Sequence, residues 1–246
     1  MSLTPLRKEF PLFLKPYLPN ESIRTDDRPF ITLTYAQSLD SRISKGKGIR
    51  TTISHLETKT MTHYLRLHHD GILIGSGTIT ADNPGLNCKI DEEKIQMNSP
   101  RPIIIDPNQN WNFKDSKIEE LYLKNQGKSP IVFIKENADI KYPNENVNYE
   151  RLKFNKDGFN WIDIFELLSK KYQMKSIMIE GGANVINRLL MKPELIDSLI
   201  ITIGSVYLGK NGVEVSPSKA LKLKDVNWWK GTTDSVMCAR IDSIDD

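Results

Sequence analysis

Glu180 closes the apolar run Ser176-Ile177-Met178-Ile179 and is followed by Gly181, Gly182 and the helix-like stretch Ala183-Asn184-Val185-Ile186-Asn187-Arg188-Leu189-Leu190. That order predicts a buried strand, a tight turn and a helix. Glycines let the backbone approach a ligand closely, and the first N–H groups of a helix have no partner within it. With the partial positive charge of a helix start, such a turn can hold a phosphate. The same Gly-Gly pair serves equally as a plain connector. Glu180 favours the ligand, because open α/β sheets bind at the carboxyl ends of their strands and a carboxylate buried there needs a partner.

A second strand, Ile72-Leu73-Ile74, runs into Gly75-Ser76-Gly77-Thr78-Ile79-Thr80-Ala81-Asp82-Asn83-Pro84. Gly75 and Gly77 free several N–H groups for an anion, Ser76 and Thr78 add hydroxyls, and Thr78 is the expected cap of a short helix. Asp82 either bonds a sugar hydroxyl or forms an Asx-turn with Asn83 and Pro84. The turn lacks the full GxGxxG pattern, so a standard dinucleotide fold is not predicted. Asp40, in Ser38-Leu39-Asp40-Ser41-Arg42, lies past a third strand. It either binds or protonates a polar substrate or forms a solvated ion pair worth little. Arg50, Arg66 and Lys89 are cations near these turns, each a candidate grip for a substrate phosphate.

Other constellations lead nowhere. His55-Leu56-Glu57 resembles half of a zinc-deaminase signature, but no Pro-Cys-x-x-Cys follows, and no metal site is expected. His63, His68 and His69 have the wrong spacing for a metal pair and read as packing or solvent-facing residues, and Trp228-Trp229 reads as a packing anchor. No Ser-His-Asp order or reactive-cysteine context is present.

The elements that must position these residues follow from periodicity. Strands are expected over residues 30–36, 71–74, 102–106, 131–134, 147–154, 176–180, 198–203 and 236–241, with helices over 58–69, 161–172 and 185–191. Strand-helix alternation from Ile131 to Met191 predicts an α/β fold with a parallel or mixed sheet, and the last strands predict an antiparallel C-terminal edge. The 246 residues fit a single domain over 29–246, preceded by an N-terminal surface extension over 1–28 that is rich in proline and charge. A net charge of +3 with interspersed signs argues against nucleic acid. No stretch approaches the roughly 20 apolar residues that span a bilayer, and no signal-peptide core is evident. The two cysteines, Cys88 and Cys238, form no disulfide framework, so a cytoplasmic protein is expected.

Four segments in this order, Tyr35–Arg42, Gly75–Pro84, Arg101–Asp106 and Glu180–Ala183, make the chain similar to the reductases of riboflavin biosynthesis. The resemblance spans about Phe30 to Ile241. It implies a dihydrofolate reductase-like fold with a mixed, mostly parallel central sheet flanked by helices, and NADPH as cofactor. By that likeness Ala36, Thr52, Thr78 and Asp82 line the cofactor, with Gly75 and Gly77 in the first turn. Gly181, Gly182, Ala183, Asn184, Val185, Ile186, Asn187 and Arg188 close on it from the second. Arg50, Arg66, Leu86, Lys89 and Glu180 match substrate-contacting positions, although Gly48-Ile49-Arg50-Thr51-Thr52 lacks the tryptophan of the bacterial pattern.

The implied reaction delivers hydride to C1′ of the ribosylamino group of a phosphorylated pyrimidine, turning ribose into a ribityl chain. Arg66 and Lys89 would then fix the 5′-phosphate, Glu180 would orient the pyrimidine or ribose, and Asp40 would assist proton movement. A diaminopyrimidinone and its deaminated uracil form are both admissible substrates, and a catalytically silent nucleotide-binding module is the reading from another class. A preference for NADPH needs a cation at the ribose 2′-phosphate, for which Lys135 and Arg151 are both candidates. The likeness also implies a homodimer, for which Leu199–Tyr207 is the expected interface.

Overall fold

The computed structural model describes residues 3–20, 28–91 and 93–244. The chain begins with a short helix, α1 (Phe10–Leu14), then β1 (Phe30–Gln37), β2 (Arg42–Ser44), α2 (Leu56–Leu67), β3 (Gly71–Gly75), α3 (Ser76–Asp82) and α4 (Ile95–Asn98). Its middle carries β4 (Arg101–Ile105), α5 (Lys117–Leu123), β5 (Ile131–Lys135), β6 (Asn148–Leu152), β7 (Phe154–Asn155), β8 (Gly158–Phe159) and α6 (Trp161–Tyr172). It ends with β9 (Ser176–Gly181), α7 (Ala183–Leu190), β10 (Ser198–Gly204), β11 (Val213–Glu214), β12 (Leu221–Lys230) and β13 (Asp234–Ile244).

Nine strands form one sheet in the order β12-β13-β10-β1-β9-β3-β4-β5-β6. Every pairing from β10 to β6 is parallel, whereas β13 pairs antiparallel with β10 and β12 antiparallel with β13. The mixed, mostly parallel sheet with an antiparallel C-terminal edge is therefore as the sequence predicts. Buried parallel strands read as continuous apolar runs, which is why β3, β4, β5 and β9 were legible.

Alternation along each strand sends side chains to opposite faces. Ile31, Leu33, Leu73, Ile103, Phe133, Ile177 and Ile179 pack on one face with Ile164, Phe165 and Leu168 of α6 and Ile186 and Leu189 of α7. On the other face, Met178 and Ile200 meet Met61 and Leu65 of α2, while Ile72, Ile74 and Ile104 meet Ile79 of α3 and Ile118 of α5. Helix α6 coincides with its predicted bounds, with Asn160 accepting the Ile162 N–H at its start and Gln173 in the left-handed region at its end.

Residues that the sequence assigns to an N-terminal extension contribute Phe10, Leu14, Tyr17 and Leu18 to the cluster on the α2 face. Phe10 packs on Trp229 with ring centroids 4.3 Å apart. Trp229 is thus the packing anchor that the sequence suggests, but its neighbour Trp228 is 56 % exposed and anchors nothing.

Two further expectations are corrected. The strand predicted over 147–154 divides into β6 and β7, and strand β12 was not predicted at all. Its residues alternate with lysine and are mostly exposed on the sheet edge, so no apolar period marks it. The interface expected at Leu199–Tyr207 is buried within the sheet over most of its length. Strand β10 lies inside the sheet between β1 and β13, with Leu199, Ile200 and Ile201 buried, and only Ser205, Val206 and Tyr207 at its end are exposed. No helix of the described residues is long and apolar enough to cross a membrane.

Candidate functional site

The two glycine turns meet. Each lies at the carboxyl end of a core strand, β3 and β9, which are hydrogen-bonded neighbours. Gly182 sits so close to the first turn that a β-carbon on it would lie 2.5 Å from Thr78 Oγ1, and one on Gly75 would lie 3.2 Å from Val185. Gly181 has φ +111°, a conformation that side chains rarely adopt, and the Gly181–Gly182 peptide is cis. Helices α3 and α7 start at these turns with Gly75 and Gly182 as their N-caps, and no side chain caps either one. This corrects the expectation that Thr78 caps α3: it lies within the first turn, with its hydroxyl towards Gly182.

A cavity of about 730 Å³ opens over the turns. Of the predicted cofactor positions, Ala36, Gly75, Gly77, Thr78, Asp82, Gly182, Ala183, Asn184, Val185 and Ile186 line it, as do Glu180 and Arg188. Thr52 does not; its neighbour Thr51 takes that place, and Gly181 shapes the turn from behind. Asp82 is held above the usual carboxylate range by burial, an effect that the Arg50 guanidinium partly offsets. Arg50 thus faces Asp82 from outside the lining.

Sequence reasoning missed two parts of the wall. Tyr35, Ile43 and Lys47 enclose one end, and burial raises the Tyr35 phenol so that it stays a neutral hydroxyl. Ile105, Asn108, Phe154, Phe159 and Trp161 enclose the other. Ile105 and Asn108 lie at the carboxyl end of β4, a position that the topology marks once strand order is known. Phe154 and Phe159 come from the β7–β8 hairpin and Trp161 from the start of α6, and none carries an anion-binding signature.

Glu180 has a partner. It lies two residues beyond Met178 and so projects to the α2 face, where Arg66 follows the buried Leu65. Arg66 Nε and Nη2 donate to the two carboxylate oxygens at 2.9 and 2.8 Å, and Nη1 donates to the Asn87 carbonyl at 3.0 Å. Both side chains are mostly shielded from solvent. A planar fork gripping a carboxylate fixes its orientation as well as its charge.

That geometry adds to the role expected of Arg66. Three of its five N–H groups are engaged on Glu180 and Asn87, so its guanidinium holds the Glu180 carboxylate in place. Lys89 is exposed and forms no ion pair with a described carboxylate, while its backbone N–H donates to His63 Nδ1 on α2 at 3.2 Å. Like Leu86, it lies outside the cavity lining. Leu86 is buried among Ile72, Ile74 and Ile79, outside the cavity lining.

Asp40 is also corrected. It lies outside the lining, and its carboxylate accepts bonds from Ser38 Oγ at 2.5 Å, the Leu208 N–H at 3.0 Å and the Gly209 N–H at 2.7 Å. The Ser38 bond, followed by the backbone bonds, lowers its pKa to about 2. An acid so readily ionised holds no proton to give at neutral pH; Asp40 ties two loops together. His55 and Glu57 likewise serve structure: His55 caps α2, and Glu57 accepts the Thr232 N–H at 2.5 Å. Among the described residues no cluster could hold a metal ion.

Known proteins share this architecture. The model of the RibD C-terminal domain matches residues 29–237. The 2,5-diamino-6-ribosylamino-4(3H)-pyrimidinone 5′-phosphate reductase of Saccharomyces cerevisiae is 56 % identical over 245 residues, covering 98 % of this chain and 99 % of its own. A solved structure of the S. cerevisiae riboflavin biosynthesis reductase Rib7 superposes with a TM-score of 0.84 at 50 % identity, covering 96 % of this chain and 100 % of its own. Enterococcus faecalis dihydrofolate reductase, solved with NADP(H), shares the fold alone: its TM-score is 0.50 at 11 % identity, over 87 % of this chain and 97 % of its own. The dihydrofolate reductase-like sheet, the two glycine turns and the near full-length likeness converge, and the chain belongs to the RibD C-terminal domain family, among the reductases of riboflavin biosynthesis.

Proposed function

We propose that this protein is an NADPH-dependent oxidoreductase that reduces 2,5-diamino-6-ribosylamino-4(3H)-pyrimidinone 5′-phosphate to its ribitylamino product. The observation that carries the reading is the meeting of two uncapped glycine turns beneath a cavity into which Glu180, clamped by Arg66, also opens. The residues present fit a dinucleotide. The close approach of Gly182 to Thr78 sets the two turns side by side, and any side chain on Gly182 would wedge them apart. Backbone N–H groups at the starts of α3 and α7 suit the pyrophosphate, and the apolar walls suit the flat rings on either side.

The nicotinamide, when bound, supplies the hydride. The protein orients the substrate against it and excludes water. Glu180, with its plane fixed by Arg66, accepts hydrogen bonds from the pyrimidine amino groups or the ribose hydroxyls. Lys89 holds the 5′-phosphate at the α2 rim. Opening of the ribosylamino ring breaks C1′–O4′ and forms the C1′–N imine as the nitrogen's proton passes to O4′; the hydride would then add to C1′ and a proton from solvent to the nitrogen, leaving CH2–NH. Following NADPH absorbance with the diaminopyrimidinone and with its deaminated uracil counterpart tests this reading. Oxidation with the diamino compound is expected; oxidation with the uracil alone reassigns the substrate, and oxidation with neither leaves a nucleotide-binding module.

The family likeness also supports a cytoplasmic homodimer. Leu223, Val226 and Trp228, exposed on edge strand β12, offer an apolar surface for pairing. Sedimentation equilibrium distinguishes dimer from monomer, and a monomer at micromolar concentration would remove the pairing.

A further inference from the structure

Cations near the aromatic end of the cavity sort sharply by strand register. The cavity crosses the sheet from β1, which gives Tyr35 and Ala36, over β9 and β3 to β4, which gives Ile105. The glycine turns lie in the middle, and Glu180 with Arg66 lies towards α2. A dinucleotide whose pyrophosphate rests on the turns, with its reactive ring near Glu180, therefore places its other nucleoside towards β4 and β5, among Ile105, Phe154 and Trp161.

Lys135 is the last residue of β5. In the parallel ladder Phe133 aligns with Ile105, so Lys135, two residues on, projects from the same sheet face as the cavity wall. Its Nζ donates to Asn108 Oδ1 at 2.7 Å and lies 5.1 Å from the centroid of the Phe154 ring. Asn108 and Phe154 both line the cavity. Lys135 forms no ion pair with a described carboxylate, and an ammonium has three donors, of which Asn108 takes one.

Arg151 differs on each count. It aligns with Ile134, whose side chain packs on the opposite face, and its guanidinium donates to the Ala138 carbonyl. Arg188 does line the cavity, but one of its guanidinium nitrogens donates to the Asp157 carbonyl.

We propose that Lys135, steered by Asn108 and Phe154, reads the ribose 2′-phosphate of the bound dinucleotide and so sets its preference for the phosphorylated cofactor. This rests on the dinucleotide reading of the cavity. The two can fail separately in one experiment: calorimetric titration of the whole protein with 2′,5′-ADP and with 5′-AMP.

The wild type is expected to bind 2′,5′-ADP more tightly than 5′-AMP. Loss of a charge-assisted phosphate contact in Lys135→Gln weakens 2′,5′-ADP binding about 10- to 100-fold, while 5′-AMP binding changes by less than about twofold. Lys135→Arg keeps the preference, and Arg151→Gln changes neither ligand. An undiminished preference in Lys135→Gln, or its loss in Arg188→Gln instead, overturns the role of Lys135. Equal wild-type affinity for the two ligands also overturns it but leaves the dinucleotide reading intact, whereas a wild type that binds neither contradicts both.

Discussion

Asp40 lies just past β1 and Glu180 at the carboxyl end of β9, and their surroundings give the two carboxylates opposite tasks. Asp40 is spent on Ser38 Oγ and two backbone N–H groups. Asp40→Asn should therefore change turnover by less than about threefold while lowering the melting temperature, and thermal scanning beside steady-state kinetics checks both. Glu180 presents its carboxylate to the cavity, with Arg66 holding it from behind. Glu180→Gln keeps the shape but loses the charged fork, so kcat/KM for the pyrimidine should fall by about 10- to 100-fold. NADPH affinity should stay within about twofold in a direct titration; a loss of NADPH binding equal to the loss in kcat/KM would move Glu180 into the cofactor half of the site. Residue types at strand ends were visible in the sequence. Which carboxylate opens on the cavity was not, because that depends on the distant partners Leu208 and Gly209 for one and on Arg66 for the other.

At the scale of elements, the turns after β3 and β9 pack directly against each other. Gly182→Ala would place a methyl group 2.5 Å from Thr78 Oγ1 and push the turns apart. NADPH affinity should fall about 5- to 150-fold, since an overpacked site costs roughly 1–3 kcal/mol. Far-ultraviolet circular dichroism should stay native, and unchanged affinity would show that these turns are not where the cofactor lies. Both turns were legible as glycines closing apolar runs, and their adjacency followed only from strand order. Phe154 and Phe159 of the aromatic wall were not legible, because β7 and β8 span two residues each and carry no period, whereas Trp161 was legible only as the start of α6. The lysine-rich edge strand β12 escaped for the opposite reason: its exposed residues hide a regular backbone.

Across the whole molecule, buried histidines set a pH limit that the surface charge does not show. His69 is buried, with Nε2 2.8 Å from Thr32 Oγ1 and Nδ1 2.7 Å from the Leu65 carbonyl. The carbonyl can only accept, so Nδ1 carries the proton and the Thr32 hydroxyl donates to Nε2. Burial lowers the pKa of His69 to about 4, and burial with the nearby Arg66 lowers that of His63 to about 3. An unfolded histidine titrates near 6.5, so between that pH and about 4 the unfolded chain binds protons that the folded chain refuses. Stability from these sites is complete above about 6.5 and is lost as the pH falls through about 4 and then 3. Melting temperatures should decline over that window and decline less steeply in His69→Gln; parallel curves for the two proteins would rule His69 out. Sequence spacing could not tell packing from exposure for His63 and His69, since burial follows from how α2 lies on the sheet.

The central claim is that the cavity brings a reduced nicotinamide to C1′ of the ribosylamino pyrimidine beside Glu180. Nuclear magnetic resonance of the product formed with NADPH deuterated at both C4 positions tests it most directly. Deuterium on C1′ of a ribityl chain is the predicted result, and product formation with C1′ free of deuterium, or no product at all, would contradict it.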